Sequence, residues 1–280
     1  MSPDREGLMT THRMINRRVA IAEMGKAGLA IVVFGTVACS DPGGSGTTAT
    51  TTGTTPPTTA GPETTTTVAT ATTTSSDTTT TGGAATGTAF HRVNLDFVSA
   101  YILYRGGEAA LVDTGVDGSL DAITAGLGEI GLAWDAVGHV ILTHKHPDHM
   151  GSVDAVMEQA PGATLYAGAP DIPEITVVMV PQPVSDGDSV FDLDIIETPG
   201  HTAGHICVLD SSAGILVAGD AMVGANGGVS GPEPAFAENM TVAIDSVRKL
   251  AGFSYEVALF GHGEPMLEGA SAAVGVLAES

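Results

Sequence analysis

Basic side chains are scarce in this 280-residue chain: 10 Lys and Arg stand against 32 Asp and Glu, a formal net charge of −22. Half of the basic residues lie early (Arg5, Arg13, Arg17, Arg18 and Lys26), so residues 39–280 keep five against 29 acids, a net −24. A field of that sign repels nucleic acid, anionic lipid surfaces and polyanionic substrates, and it excludes a nucleic-acid partner. Cysteine is nearly absent, with 2 in the chain. Cys207 sits in "HICVLD", an apolar strand pattern that reads as a buried, inert thiol, so no disulfide framework is expected. Long hydrophobic runs are missing too. The apolar stretch "AGLAIVVFGTVAC" falls well short of the roughly 20 residues that a membrane-spanning helix requires.

That stretch follows basic residues, including the pair in "NRRVAIA", and reads as a cleaved signal peptide over residues 1–38. Its end, "TVAC", resembles the lipobox of bacterial or archaeal lipoproteins, with Thr36 where leucine is usual. The resemblance implies a lipidated Cys39 and a protein tethered to the outer face of the cell membrane; a plain secretory signal would release it instead. Arg17 and Arg18 fit a twin-arginine signal only loosely. Residues 39–88 are nearly all Thr, Gly, Ala, Ser and Pro. Such a tract cannot bury enough apolar surface to offset the entropy of ordering it, so it reads as a disordered tether. As a flexible coil of about 50 residues it would span on the order of 40 Å.

From residue 89 to 280 strand and helix signals alternate. "AYILYRGG" and "EAALVDTG" read as a strand pair turned at Gly106-Gly107, and "DGSLDAITAGLGEIGL" as a helix. "VGHVILTH" reads as a buried strand and Asp148–Glu158 as a helix. "SVFDLDIIETPG" and "HICVLDSSAGILVAGD" then read as strands, Asn239–Leu250 as a helix, "YEVALFGHG" as a strand and Pro265–Leu277 as a closing helix. The glycine-rich segment "MVGANGGVSGPEPAFAENM" reads as a loop bordering the site. One layered α/β or α+β domain of roughly 190 residues is expected.

The densest chemistry lies in "VILTHKHPDHMGS", where His144, His146, Asp148 and His149 leave a strand end. Catalytic and binding residues concentrate on such loops. Imidazoles with a carboxylate suit zinc, iron or other first-row metals, and four donors from one loop exceed what one hydrolytic ion with an open position takes. Two ions are suggested. Lys145, between the donors, is expected to point to solvent, and His139 and His91 read as structural or surface residues.

"THKHPDHMG" is similar to the H-x-H-x-D-H signature of the metallo-β-lactamase superfamily, and further landmarks follow in order: Asp113 in "LVDTG", His201 in "TPGHTAGH", Asp220 in "VAGDAMV" and His262 in "LFGHGEP". The resemblance spans about residues 90–265. It implies a four-layer αββα sandwich with metals at one edge between two sheets. It implies that His144, His146 and His201 bind one ion, that Asp148, His149 and His262 bind the other, and that Asp220 bridges them. Asp148 and Asp220 are then the carboxylates at the reacting centre, with Asp113 and His205 behind the ligands. Aspartate at the bridging position resembles the glyoxalase II and lactonase branches. The implied activity is hydrolysis of a small ester, lactone, thioester or β-lactam by a hydroxide shared between two divalent ions, zinc first, with iron or manganese as alternatives. The chain ends about twenty residues after His262, which disfavours the extra substrate domain of glyoxalase II. Two rivals remain: oxidative chemistry at a single iron, as in persulfide dioxygenases, and a non-catalytic surface metal-binding module.

Overall fold

The structure is a computed structural model that describes residues 87–280. The expected signal peptide, the lipidation site Cys39 and nearly all of the tether lie outside those residues.

The first half builds a six-stranded sheet. Its strands are β1 (Ala89–Asn94), β2 (Ser99–Arg105), β3 (Glu108–Val112), β4 (Val137–Leu142), β5 (Thr164–Gly168) and β6 (Gln182–Val184), paired in that order. The pairs β1/β2 and β2/β3 are antiparallel, and the pairs from β3 through β6 are parallel. The crossovers carry α1 (Leu120–Glu129) between β3 and β4, and α2 (Pro147–Met150) with α3 (Val153–Gln159) between β4 and β5. The second half builds a five-stranded sheet from β7 (Ser189–Val190), β8 (Leu193–Glu197), β9 (Ile206–Asp210), β10 (Ile215–Gly219) and β13 (Val257–Phe260), in the order β13-β10-β9-β8-β7. Between β10 and β13 lie the hairpin β11 (Val223–Ala225)/β12 (Gly228–Ser230) and helix α4 (Met240–Leu250), and α5 (Ala270–Ala278) closes the chain.

Strict alternation along the strands makes the layers. In β2, Ala100 and Ile102 face the helices, while Tyr101 and Leu103 face the other sheet. In β9, Ile206 and Val208 face the first sheet, while Cys207 and Leu209 face α4 and α5. Successive side chains of a strand point to opposite faces, so each sheet is buried on both sides. Three apolar clusters result: helices α1 and α3 on the first sheet, sheet on sheet, and the second sheet on α4 and α5. That is the expected αββα sandwich. A fully buried side chain such as Leu103 contributes roughly 2 kcal/mol by leaving water. Helix α4 is capped by the Asn239 side chain, which accepts from the Val242 N–H at 3.3 Å, and Arg248 and Lys249 in its last turn complement the helix dipole.

Three elements differ from expectation. The helix expected over Asp148–Glu158 breaks at Gly151-Ser152, because the Gly151 N–H donates to Gly115 O at 2.8 Å and Ser152 Oγ donates to Val116 O at 2.6 Å. A side chain at Gly151 would also overlap the backbone of Val116 and Asp117. The closing helix begins at Ala270 rather than Pro265, since Met266 is paired with Ala258 by two backbone bonds of 2.9 Å. The glycine-rich segment is a hairpin in part: Asn226 and Gly227, with φ of 53° and 75°, form the two-residue turn between β11 and β12.

β3, β4, β8, β10 and β13 all deliver chemistry from their C-terminal ends. β8 runs the same way as β10, because both are antiparallel to β9, and β10 is parallel to β13. Asp113, His144, His201, Asp220 and His262 therefore emerge along one edge of the sandwich, in keeping with the habit of layered α/β proteins of binding ligands beyond their strand ends.

Candidate metal centre

The edge is organised from behind by Asp113. Its φ of 62° is left-handed, a conformation that aspartate tolerates better than most residues, and it aims the carboxylate back at the neighbouring strand end. That carboxylate accepts from Thr143 N at 2.7 Å, from Thr143 Oγ1 at 2.8 Å and from His149 Nδ1 at 2.8 Å. One buried group thus ties β3, β4 and α2 together and leaves Nε2 of His149 as the lone-pair face. Thr143 Oγ1, having given its proton to Asp113, accepts from His144 Nδ1 at 3.0 Å, which turns Nε2 of His144 outward as a second lone pair. His262 Nδ1 donates to Phe97 O at 2.6 Å and fixes a third ring in the same sense. Such hydrogen bonds set which ring nitrogen is free to bind a metal.

The free nitrogens converge in two groups. His144 Nε2, His146 Nδ1 and His201 Nε2 lie 2.9 to 3.2 Å from one another. In the second group His262 Nε2 is 3.4 Å and His149 Nε2 3.8 Å from Asp148 Oδ2. Asp220 stands between the groups: Oδ2 is 3.4 Å from His201 Nε2 and 3.3 Å from His262 Nε2, and Oδ1 is 3.4 Å from His149 Nε2. The seven residues that the resemblance implies as ligands, His144, His146, Asp148, His149, His201, Asp220 and His262, are brought together. His149 Nε2 and Asp220 Oδ1 are buried with no hydrogen-bond partner among the described residues. A divalent cation suits both atoms and the facing histidine nitrogens, and this donor set of imidazoles and carboxylates matches zinc and its neighbours. Gly261 belongs to the same fit, since a side chain there would overlap Asp220 Oδ1 and the His149 ring.

The electrostatics divide the centre. Burial pushes His144 well below its ordinary value and His201 down to about 4. Burial also opposes a charged His149, but Asp113 and Asp220 outweigh it and hold that ring up to about 10. Hydrogen bonding to Asp148 and Asp220 raises His262 to about 10. Burial alone would raise Asp220; His149 beside it instead holds it well below the ordinary carboxylate range. The pocket therefore favours positive charge next to Asp220.

A model of the family described as Metallo-beta-lactamase superfamily matches residues 93–262. The chain belongs to the metallo-beta-lactamase superfamily. The uncharacterized protein YobT of Bacillus subtilis is 30% identical over 197 residues, covering 60% of this chain and 83% of that protein. Thioesterase pkgB of Emericella nidulans is 28% identical over 181 residues, 62% of this chain and 48% of the thioesterase. A hydroxyacylglutathione hydrolase of Klebsiella pneumoniae is 40% identical over 87 residues, 30% of this chain and 32% of that enzyme. The chain thus spans about half of the one enzyme and a third of the other. In fold it is similar to a metallo-beta-lactamase family protein of Thermus thermophilus, with a TM-score of 0.55, 24% identity, and coverage of 69% of this chain and 78% of the other.

Around this superfamily centre lie residues with supporting contacts. His205, fully buried and pushed down to about 3 by that burial, gives its Nδ1 proton to Thr198 Oγ1 at 2.8 Å and accepts the Asp220 backbone N–H at 3.0 Å. It positions Asp220 through the backbone. Cys207 lies on the far side of Thr198, with Sγ 3.2 Å from Thr198 Oγ1 and 3.3 Å from Ala218 O, and burial pushes its thiol up to about 12. It is not among the clustered donors. His91 faces Glu129 at 3.6 Å, and His139 packs on Tyr166 and Phe191, both away from the centre.

Two features escaped the sequence. Asp171, fully buried, accepts from Lys145 N at 3.1 Å, Thr202 Oγ1 at 2.6 Å and Gly204 N at 2.7 Å, and so joins the His144–His146 loop to the His201 loop. Lys145 does not point to solvent: its side chain is 11% exposed, with Nζ 2.5 Å from Glu174 and 2.8 Å from Glu238. The alternation of donors on the loop sends it away from the centre, and two glutamates hold it there. In front of the centre opens a cleft of about 610 Å³. Donors His146, Asp148, His201, Asp220 and His262 form its floor, and Phe97, Pro147, Val223, Glu233 and Phe236 form its walls.

Proposed function

We propose that this chain is a metal-dependent hydrolase with two divalent ions, zinc first, that opens a small ester, lactone, thioester or β-lactam. The observation that carries the reading is the position of Asp220, whose two oxygens reach histidines of both donor groups at 3.3 to 3.4 Å. His144, His146 and His201 would hold one ion, and Asp148, His149 and His262 the other, with Asp220 shared. Bound there, such ions supply Lewis acidity and a water acidic enough to ionise near neutral pH.

The chain's own groups do the rest. His144 and His149, buried behind the floor, take water away from the rear of the centre, and Asp113 keeps the His149 proton on Nδ1. His146, Asp148 and His262 reach the cleft and fix where a reacting carbonyl can sit. No side-chain nucleophile is needed, and Cys207, buried with its thiol raised to about 12, supplies none. The similarity to a thioesterase and to hydroxyacylglutathione hydrolases supports a carbonyl substrate.

The purified protein is expected to carry about two equivalents of a divalent metal. It should turn over members of an ester, lactone, thioester and β-lactam panel, lose that activity to a chelator and regain it with added metal. Full metal loading with no turnover across the panel would refute the reading, as would a single iron with oxygen uptake on a persulfide.

The place of action is proposed from "TVAC": an extracytoplasmic hydrolase, lipidated at Cys39 and held off the membrane by the tether. Mass spectrometry of the mature protein is expected to find a diacylated Cys39 at the N-terminus. An N-terminus elsewhere, or an unmodified Cys39 thiol, would rule out the anchor.

A further inference from the structure

Apart from the donor histidines and the ions they would hold, no cationic side chain among the described residues lines the cleft. Among the described residues there are five Lys and Arg side chains, and each is bonded to a carboxylate. Arg92 meets Glu264 at 2.6 Å, Arg105 meets Asp192 at 2.9 Å, Arg248 meets Asp245 at 2.8 Å and Lys249 meets Asp186 at 2.5 Å. The fifth, Lys145, is the one placed on the donor loop itself, where it could have met a substrate carboxylate. Glu174 and Glu238 occupy it at 2.5 and 2.8 Å, two acids for one base, so the local balance is negative. Among the described residues, the only ionisable group lining the cleft apart from the donors is Glu233.

The remaining walls are apolar and open. Phe97 and Phe236 are 57% and 67% exposed, large values for phenylalanines at the rim of a cleft. Phe97 also stacks on the His262 ring, with centroids 6.3 Å apart and planes within 12°, which places an apolar face directly beside the floor. Exposed aromatic faces around a polar floor mark a ligand surface, and what they bury well is an uncharged hydrocarbon or aryl group. An anionic group at the same place gains no partner, faces Glu233, and has approached through the field of a strongly acidic domain.

We propose that the centre selects an uncharged substrate with an apolar acyl or aryl group seated between Phe97 and Phe236, and that Glu233 turns away substrates carrying a second, anionic group. The inference rests on the hydrolase reading and narrows it. Compact carboxylated esters and thioesters, including those that end in a free carboxylate, fall outside the expected range.

The test compares 4-nitrophenyl hexanoate with 4-nitrophenyl hydrogen adipate, which share a leaving group and a six-carbon acyl chain and differ in one terminal carboxylate. With the metal-loaded full-length protein, kcat/KM is expected to favour the hexanoate by at least about tenfold, and the ratio should shrink as salt is raised. Glu233→Gln should narrow the ratio by improving the adipate, and Phe236→Ala should lower kcat/KM for the hexanoate. A second readout does not depend on turnover: calorimetric binding of phenylmethanethiol against 4-(mercaptomethyl)benzoate, two thiols of similar acidity, where the uncharged one should bind more tightly. Equal or better use of the adipate, or tighter binding of the carboxylated thiol, overturns the selection. Should neither ester be hydrolysed, turnover across the wider ester, lactone, thioester and β-lactam panel decides the hydrolase reading, and the thiol pair alone decides whether the cleft rejects anions.

Discussion

Asp220→Ala is expected to reduce bound metal from two equivalents to one or fewer and to lower kcat/KM by at least about a hundredfold. The carboxylate lies within 3.4 Å of His149, His201 and His262 at once, so its loss takes a donor from both groups. It also removes the negative charge that offsets repulsion between two cations, and in a buried setting that charge is hard for water to replace. His205 still holds the backbone N–H of residue 220 at 3.0 Å, so the strand end itself should stay in place. Cys207→Ala is the matched control. Its sulfur faces Thr198 and Ala218, away from the convergent nitrogens, so metal content should be unchanged and stability should fall by about 1 kcal/mol for one small buried side chain. Metal analysis and urea melts of both variants check the pair. Two metals and near-normal turnover in Asp220→Ala, with loss of metal in Cys207→Ala, would show that the proposed ligand set is wrong.

The donors were legible in the sequence because they cluster in short motifs at the ends of apolar strand runs, whose successive side chains alternate between two buried faces. β2, β9 and β10 show the alternation plainly, with successive residues going to different apolar layers. β5 and β6 were not foreseen: five and three residues long, they are too short for a period to register, and the pairing of β5 to β4 and of β6 to β5 sets them. The hairpin β11/β12 carried a readable signal, Asn226-Gly227, the dipeptide that prefers the tight turn with two positive φ angles, but the surrounding glycines gave the stretch a loop-like composition. The break at Gly151 and the embrace of Lys145 by two glutamates are long-range. Val116 and Glu238 meet these residues only after the chain has folded, and nothing adjacent in sequence announces them.

Asp171 is the clearest case of that kind, and it supplies the second large effect. Local sequence suggests a helix cap, since Asp171 precedes the single turn Ile172–Glu174, yet its side chain makes no capping bond there. It instead crosses to Lys145 N, Thr202 Oγ1 and Gly204 N, at 2.6 to 3.1 Å. Gly204 is built for this approach, because a side chain there would overlap Asp171. Asp171→Ala strands two N–H groups and a hydroxyl at a buried place, at a cost of about 1–3 kcal/mol for each group left unpaired and unhydrated, so a net loss of about 2–4 kcal/mol is expected. For a domain of this size that lowers Tm by roughly 5–15 °C. The larger consequence falls on the centre: His144 and His146 flank Lys145, and His201 precedes Thr202, so the three donors of one proposed ion site lose their common brace. Metal affinity at that group should drop about 10- to 100-fold, the range seen when supporting partners of ligands are removed. Asp171→Asn keeps one acceptor oxygen but turns an NH₂ toward the donors, and should fall between the two. The measurement is a competitive metal titration below the melting temperature, run beside thermal melts of the metal-free proteins. If Asp171→Ala loses stability while its folded fraction binds metal as tightly as the parent, Asp171 serves the fold alone and does not position the histidines.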